Sequence, residues 1–125
     1  MTWAEANNFC SILGAKMVVV ESEQERKEIT RMTASLIAKR RRFWLDVKMV
    51  NWRWRSHGGS RTPTYTPWGS IECNCEGNCV RSGPGTMWYK GRCERRKHLD
   101  ESYTFNPLCK HALRNTGPVW RKRRH

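Results

Sequence analysis

Apolar positions fall into helical spacing early in the chain and strand spacing later. Thr2-Trp3-Ala4-Glu5 puts a hydroxyl and a carboxylate three residues apart, where each can satisfy a backbone N–H at a helix start. Trp3, Ala6, Cys10 and Leu13 then recur at helical intervals with Phe9 beside them, and Gly14 follows as a left-handed cap commonly does. The pattern predicts a helix over residues 3–13 with one apolar stripe. Ser22-Glu23-Gln24-Glu25 repeats the start signal, and Ile29, Met32, Leu36 and Ile37 predict the buried face of a second helix over 22–38. Its other face carries Arg26, Lys27 and Arg31. Lys39-Arg40-Arg41-Arg42 places cations at its C-terminal end, where they suit the helix dipole.

Strand signals take over elsewhere. Ala15 to Val20 is short and apolar, and reads as a strand or an extended crossing. Phe43-Trp44-Leu45-Asp46-Val47 reads as a buried strand. Trp52-Arg53-Trp54 alternates with period 2, which puts both Trp on one side. Residues 56–67, rich in Gly, Ser, Thr and Pro, predict a long loop, and residues 68–85 predict more loop with a short strand. Met87-Trp88-Tyr89 and Tyr103-Thr104-Phe105 are strand-like. From Arg114 onward periodicity is lost, and Arg121-Lys122-Arg123-Arg124-His125 predicts a basic, disordered tail. Helices followed by short strands give an α+β order. One domain over 1–113 and a tail over 114–125 account for the chain, with no internal repeat.

Composition sharpens this outline. The chain has 125 residues, one domain's worth, and seven Trp suggest a core anchored by a few large rings. Met17-Val18-Val19-Val20 is the longest apolar run, far below the roughly 18 residues of a membrane span. Six Cys, an even number, together with many Gly, Pro and Trp, point to a disulfide-stabilised, exported protein. Buried free thiols are the alternative, and spacing does not fix the pairing. Met1 leads straight into the first helix signal without a charged-then-apolar leader: either a leader was removed with upstream sequence, or the chain is a fragment or an incomplete gene model, and the missing leader weighs slightly against secretion. The net charge of +13 favours anionic partners: sulfated glycan, nucleic acid or an acidic membrane surface. Its bland reading is a solvated face that keeps the domain soluble. No Ser or Cys nucleophile motif has a base partner, and His57, His98, His111 and His125 are scattered. No catalytic residue is named, and an enzyme is not expected.

The residues together resemble the C-type-lectin-like family. Trp3-Ala4-Glu5-Ala6 before Cys10 is similar to its first-helix motif, and Gly14-Ala15 with Glu21-Ser22 and Glu25 resembles the link to the second helix. Phe43-Trp44-Leu45-Asp46-Val47 resembles the core strand, and Trp52-Arg53-Trp54 the Trp-x-Trp after it. Trp68, Cys79, Trp88, Cys93 and Cys109 follow in the family's order. The resemblance covers Thr2 to Lys110. It implies two helices packed on small antiparallel sheets, a long irregular loop region, and disulfides Cys10–Cys109 and Cys79–Cys93. It also implies an extracellular module, secreted or part of a larger protein, that binds a glycan or protein ligand. Two departures stand out: the family's usual first strand is missing, which would leave a sheet edge open, and Glu94 to Ser102 reads as a charged insertion.

Sugar-binding members hold calcium through a Glu-Pro-Asn-type triplet, a nearby Glu, and Asn-Asp after a Trp. The resemblance puts Glu72-Cys73-Asn74 at the triplet and Glu76 one position off the nearby Glu. Trp88-Tyr89-Lys90 stands for Trp-Asn-Asp and brings a cation instead of carboxylate or amide oxygens. Calcium takes about six to eight oxygens, so Glu72, Asn74 and Glu76 fall short of a cage, and weak or no calcium dependence is expected. Ordinary turn residues are the competing reading of Glu72 and Asn74. Cys73 and Cys75 have no family partner. They could pair with each other, bond a segment or chain outside this sequence, or join Cys79, Cys93, His98 and His111 around zinc. Their spacing does not match common zinc patterns. Arg40, Arg41, Arg42, Arg53, Arg55, Arg95, Arg96 and Lys97 are candidate contacts for sulfate or carboxylate groups, which the Arg fork can bind bidentately. A basic nucleic-acid-binding or zinc-binding protein is the alternative function, with Trp52-Arg53-Trp54-Arg55 stacking bases and clamping phosphates. No named nucleic-acid module matches.

Overall fold

The computed structural model describes residues 1–34, 42–70, 76–94, 105–113 and 117–122, with the backbone alone beyond Lys110. Helix α1 (Trp3–Ile12) opens with the full reciprocal cap: Thr2 Oγ1 accepts from Glu5 N–H, and the Glu5 carboxylate accepts from Thr2 N–H. Trp3, Ala6 and Cys10 form its buried face, but Leu13 is the C-cap and is 41% exposed. The chain then crosses through β1 (Lys16–Met17) and a buried stretch to Val20.

Helix α2 (Glu23–Met32) keeps half of its expected cap, since Ser22 Oγ accepts from Glu25 N–H while the Glu25 carboxylate faces Lys110 at 3.7 Å. Ile29 is buried as expected. Met32 is not: it is 42% exposed, and Thr33 takes the inward position with its hydroxyl donating to the Ile29 carbonyl. Leu36 and Ile37 lie outside the described residues.

Strands β2 (Arg42–Val50), β3 (Arg53–Ser56), β4 (Cys79–Ser82), β5 (Trp88–Gly91), β6 (Phe105–Leu113) and β7 (Gly117–Lys122) complete the sheet. Its main path runs β1-β6-β2-β4-β5, with β3 on β2 and β7 on β6. The resemblance implied antiparallel sheets. The pairings between named strands match this except β2 with β6, which run parallel from Arg42↔Phe105 to Trp44↔Pro107, and an isolated parallel bridge joins Trp68 to Trp88. Residues 117–122 fall in the expected disordered tail, yet form strand β7 along β6 from Leu108↔Lys122 to Leu113↔Gly117. Strand β6 thus has β1 on one side of Cys109 and β7 on the other. No single-strand periodicity announced β7, because its pairing comes from a partner and not from its own apolar pattern.

The β2–β3 hairpin turns at Asn51-Trp52 with φ of 49° and 68°. The expectation that Trp52 and Trp54 share a face therefore fails. Trp52 occupies the turn and is 94% exposed, while Trp54 packs against the core. Two residues before β4, Gly77 (φ 139°) lies so close to the Gly91 carbonyl that a Cβ would stand 2.0 Å from its oxygen, so only glycine fits.

Strand β2 divides the core. Phe43, Leu45 and Val47 face one apolar cluster with Val18, Val20, Ile29, Val80 and Trp88. Trp44 faces the other, with Trp3, Ala6, Cys10, Cys79 and Cys109. Trp44 meets Phe105 edge-on at 4.8 Å, and its indole N–H donates to the Met1 carbonyl. Both implied disulfides are present. Cys10–Cys109 joins α1 to β6 and Cys79–Cys93 joins β4 to the segment after β5, with Cα separations of 5.4 and 5.2 Å.

Their loops span 99 and 14 residues. Chain-entropy reasoning puts the double variant Cys10→Ser/Cys109→Ser about 4–5 kcal/mol below the intact protein, and Cys79→Ser/Cys93→Ser about 3 kcal/mol below. Urea unfolding monitored by tryptophan fluorescence measures both, and the long-range pair should show the larger loss.

Candidate functional site

The long loop after β3 is fastened to the core at three places. The first is a left-handed run at its start: His57, Gly58 and Gly59 have φ of 53°, 68° and 89°. This turn aims Gly58 N–H at both oxygens of the buried Asp46, 3.1 Å from each. Burial raises the Asp46 pKa, while the Gly58 N–H and nearby cations oppose that rise. The His57 imidazole reaches out to Glu21, just ahead of α2.

The second fastening is a ladder of rings. Trp54 meets Trp68 at 5.2 Å, and Trp68 meets Trp88 edge-on at 5.4 Å. The backbone joins in, with Trp88 N–H donating to Pro67 and Gly69 N–H donating to Trp88, both at 2.8 Å. Trp88 is fully buried, so the residue expected beside a calcium site works as a loop anchor.

The third is polar. Glu23 accepts from both the Arg26 guanidinium and the Tyr65 hydroxyl. Arg26 also donates to the Gly85 carbonyl, and the Thr30 and Thr86 hydroxyls meet at 2.6 Å. One face of α2 thereby holds the long loop at Tyr65 and the tight turn at Pro84–Thr86. Between the loop and the Val19–Glu21 crossing lies a cleft of about 310 Å³, with Val19, Val20 and Pro63 on its apolar side and Glu21, His57 and Arg61 at its polar rim.

The structure brings few of the sequence candidates together. Glu76 forms an ion pair with Arg92 at 2.9 Å, so its carboxylate already has a cation. Tyr89 is stacked 5.1 Å from the Arg81 guanidinium, and Lys90 is exposed. Among the described residues, no group of three or more His, Cys, Asp or Glu is placed to hold a metal ion. Of the three expected calcium ligands only Glu76 is described; Glu72 and Asn74 lie outside the described residues, as do Cys73 and Cys75. The disulfides remove Cys79 and Cys93 from the zinc alternative, because a bridged sulfur is not a thiolate ligand.

Of the anion-contact candidates, Arg40, Arg41, Arg95, Arg96 and Lys97 lie outside the described residues. Arg42 is half-buried at the start of β2, close enough to Arg81 that their charges interact. Arg81 has its pKa lowered, first by burial and then by Arg42, with the Phe105 ring 5.4 Å away. Arg55 donates to the Gly59 carbonyl at 3.2 Å and to Thr62, so it helps brace the loop. Arg53 is exposed. Sequence reasoning missed the Glu23–Arg26–Tyr65 brace. Glu23 and Arg26, three apart on one helix, were the available signal; Tyr65 is 42 residues from Glu23 and gave none.

The architecture defines an α+β domain held by two disulfides, with a long loop anchored on one side of its sheet. A family model described as the Lectin C-type domain matches residues 1–99, and the chain belongs to that family. Similar solved structures agree in fold. The mouse scavenger receptor C-type lectin carbohydrate-recognition domain is 18% identical, with a TM-score of 0.62 and 75% of each chain covered. Human lithostathine is 21% identical at a TM-score of 0.61, over 74% of this chain and 69% of that one. Herring type II antifreeze protein is 22% identical at 0.57, over 76% of each chain. No curated protein matches the chain. Domains of this family are generally non-enzymatic modules for glycan or protein ligands and are typically extracellular. Among the described residues, no helix is long and apolar enough to cross a membrane.

The loop brace has a pH signature. Hydrogen bonds from Arg26 and then Tyr65 lower the Glu23 pKa from 4.5 to about 2. A depressed carboxylate stabilises the fold above its unfolded value and loses that contribution as pH falls through the folded one. Thermal melts between about pH 5 and 2 should therefore show a shallower acid loss in Glu23→Gln than in the parent. Parallel curves would mean that solvent screens the brace and that it does not hold the loop.

Proposed function

We propose that this domain is a non-catalytic extracellular recognition module that binds a carbohydrate or protein ligand, anionic glycan foremost, with weak or no calcium dependence. Membership of the family supports a binding role. The observation that carries the calcium part is the Glu76–Arg92 ion pair. A calcium ion would have to displace that guanidinium and then assemble oxygens that Tyr89 and Lys90 do not offer. The glycan part rests on charge. A net +13 favours a polyanion, and Arg suits sulfate and carboxylate through paired N–H donors.

A glycan array read with and without a chelator tests both parts. Sulfated and uronic-acid glycans should lead the array, and chelation should leave their signal unchanged. Raising salt should weaken it steeply, since screening acts on exposed charge contacts. Binding that disappears with chelator would overturn the calcium reading. A blank array for every acidic glycan would overturn the ligand class.

A further inference from the structure

The tip of the β2–β3 hairpin carries a residue that packing does not explain. Asn51 and Trp52 are the two central residues of a tight turn, both at positive φ. Asn tolerates that conformation, but the second position favours Gly, and a bulky side chain there is strained. The Trp52 ring is also 94% exposed. A lone exposed apolar residue is ordinary on a protein surface. One held in a left-handed turn carries a second cost, and glycine would remove both.

The surroundings give the ring a chemical setting. From Val47 to Ser56 the hairpin holds Lys48, Arg53 and Arg55 and no carboxylate. Lys48 and Arg55 sit directly opposite each other across the strands, an arrangement in which like charges repel. Both are partly tied down: Lys48 lies 5.0 Å from the Trp3 ring and Arg55 donates to the loop. Arg53, next to Trp52, is exposed. The tip therefore presents an amide, an indole and a guanidinium in sequence, above two fixed cations.

We infer that this hairpin tip is a contact subsite for a sulfated glycan. The Trp52 ring lies against the apolar C–H face of a sugar ring, and the Asn51 amide meets hydroxyls. Arg53 takes a sulfate by paired N–H donors, and Lys48 and Arg55 supply attractive field behind it. The inference rests on the anionic-glycan reading and assigns it to the β2–β3 hairpin tip. A bilayer is a poorer fit. Membrane-docking faces combine several apolar side chains with a basic rim, whereas Trp52 stands between Asn51 and Arg53. Among the described residues the other exposed large apolar side chains are Ile12, Leu13 and Met32, at the ends of α1 and α2, and Trp68, whose ring is already engaged by Trp54 and Trp88.

Calorimetric titration with a heparin-derived hexasaccharide tests it on the whole chain, using Trp52→Gly, Trp52→Phe and Arg53→Gln. Trp52→Gly should bind about tenfold more weakly, the size of one lost stacking contact. It should melt no lower than the parent, since glycine suits the turn. Trp52→Phe should recover most of the affinity, and Arg53→Gln should flatten the salt dependence. Unchanged affinity in Trp52→Gly overturns the subsite and leaves the glycan reading standing. A parent protein that ignores the hexasaccharide overturns the reading itself. A lowered melting temperature in Trp52→Gly makes the ring structural and overturns the subsite. So does Trp52-dependent binding to phosphatidylserine vesicles that the hexasaccharide does not displace.

Discussion

Strand β2 is buried along both faces from Phe43 to Val47, and the rest of the domain is arranged to cover it. A strand buried on both sides needs two cores, one for each direction in which its side chains point. Phe43, Leu45 and Val47 receive theirs from the Val18–Val20 crossing, Ile29 of α2 and Trp88. Trp44 receives the other from α1 and the cysteines at positions 10, 79 and 109. The disulfides sit in the second core, where few aliphatic side chains are available. A small domain with a thin core commonly relies on such links.

Asp46 is the exception within that strand, and it connects packing to the loop. A buried carboxylate is costly without donors, and the donor is Gly58 N–H from the turn where the long loop begins. The strand that organises the core thus also fixes the loop's point of departure. The Trp54–Trp68–Trp88 ladder and the Glu23–Arg26–Tyr65 brace then hold its course. A loop held at both ends and in the middle loses little further freedom when it meets a ligand, which lowers the entropic cost of binding. Rings and a carboxylate–guanidinium pair stiffen the loop along its described part.

Both disulfides, α1 with its complete cap, the buried β2 strand and the family were legible in the residues. These features are local, or lie in motifs whose order is diagnostic. The fate of Met32, Leu13 and Trp52 was not legible. Helical spacing placed Met32 and Leu13 inside, but Leu13 is already the C-cap of α1, and at the end of α2 Thr33 takes the inward position instead of Met32. Period-2 spacing put Trp52 beside Trp54, but the hairpin reversed between them. Each miss came at an element boundary, where a cap or a turn overrides periodicity.

The sequence by itself determined the positive charge and, through the order of its motifs, the family resemblance that implied the class of the domain and two of its cysteine pairs, because these depend on residue identity and order along the chain. Only the tertiary structure decided that Glu76 belongs to Arg92, that Tyr65 belongs to α2 and that Trp52 stands in solvent. Whether a carboxylate is free for a ligand, or an aromatic ring is covered, depends on which distant residues fold against it. Such pairings, 16 and 42 residues apart for Glu76–Arg92 and Glu23–Tyr65, leave no periodic trace in the chain.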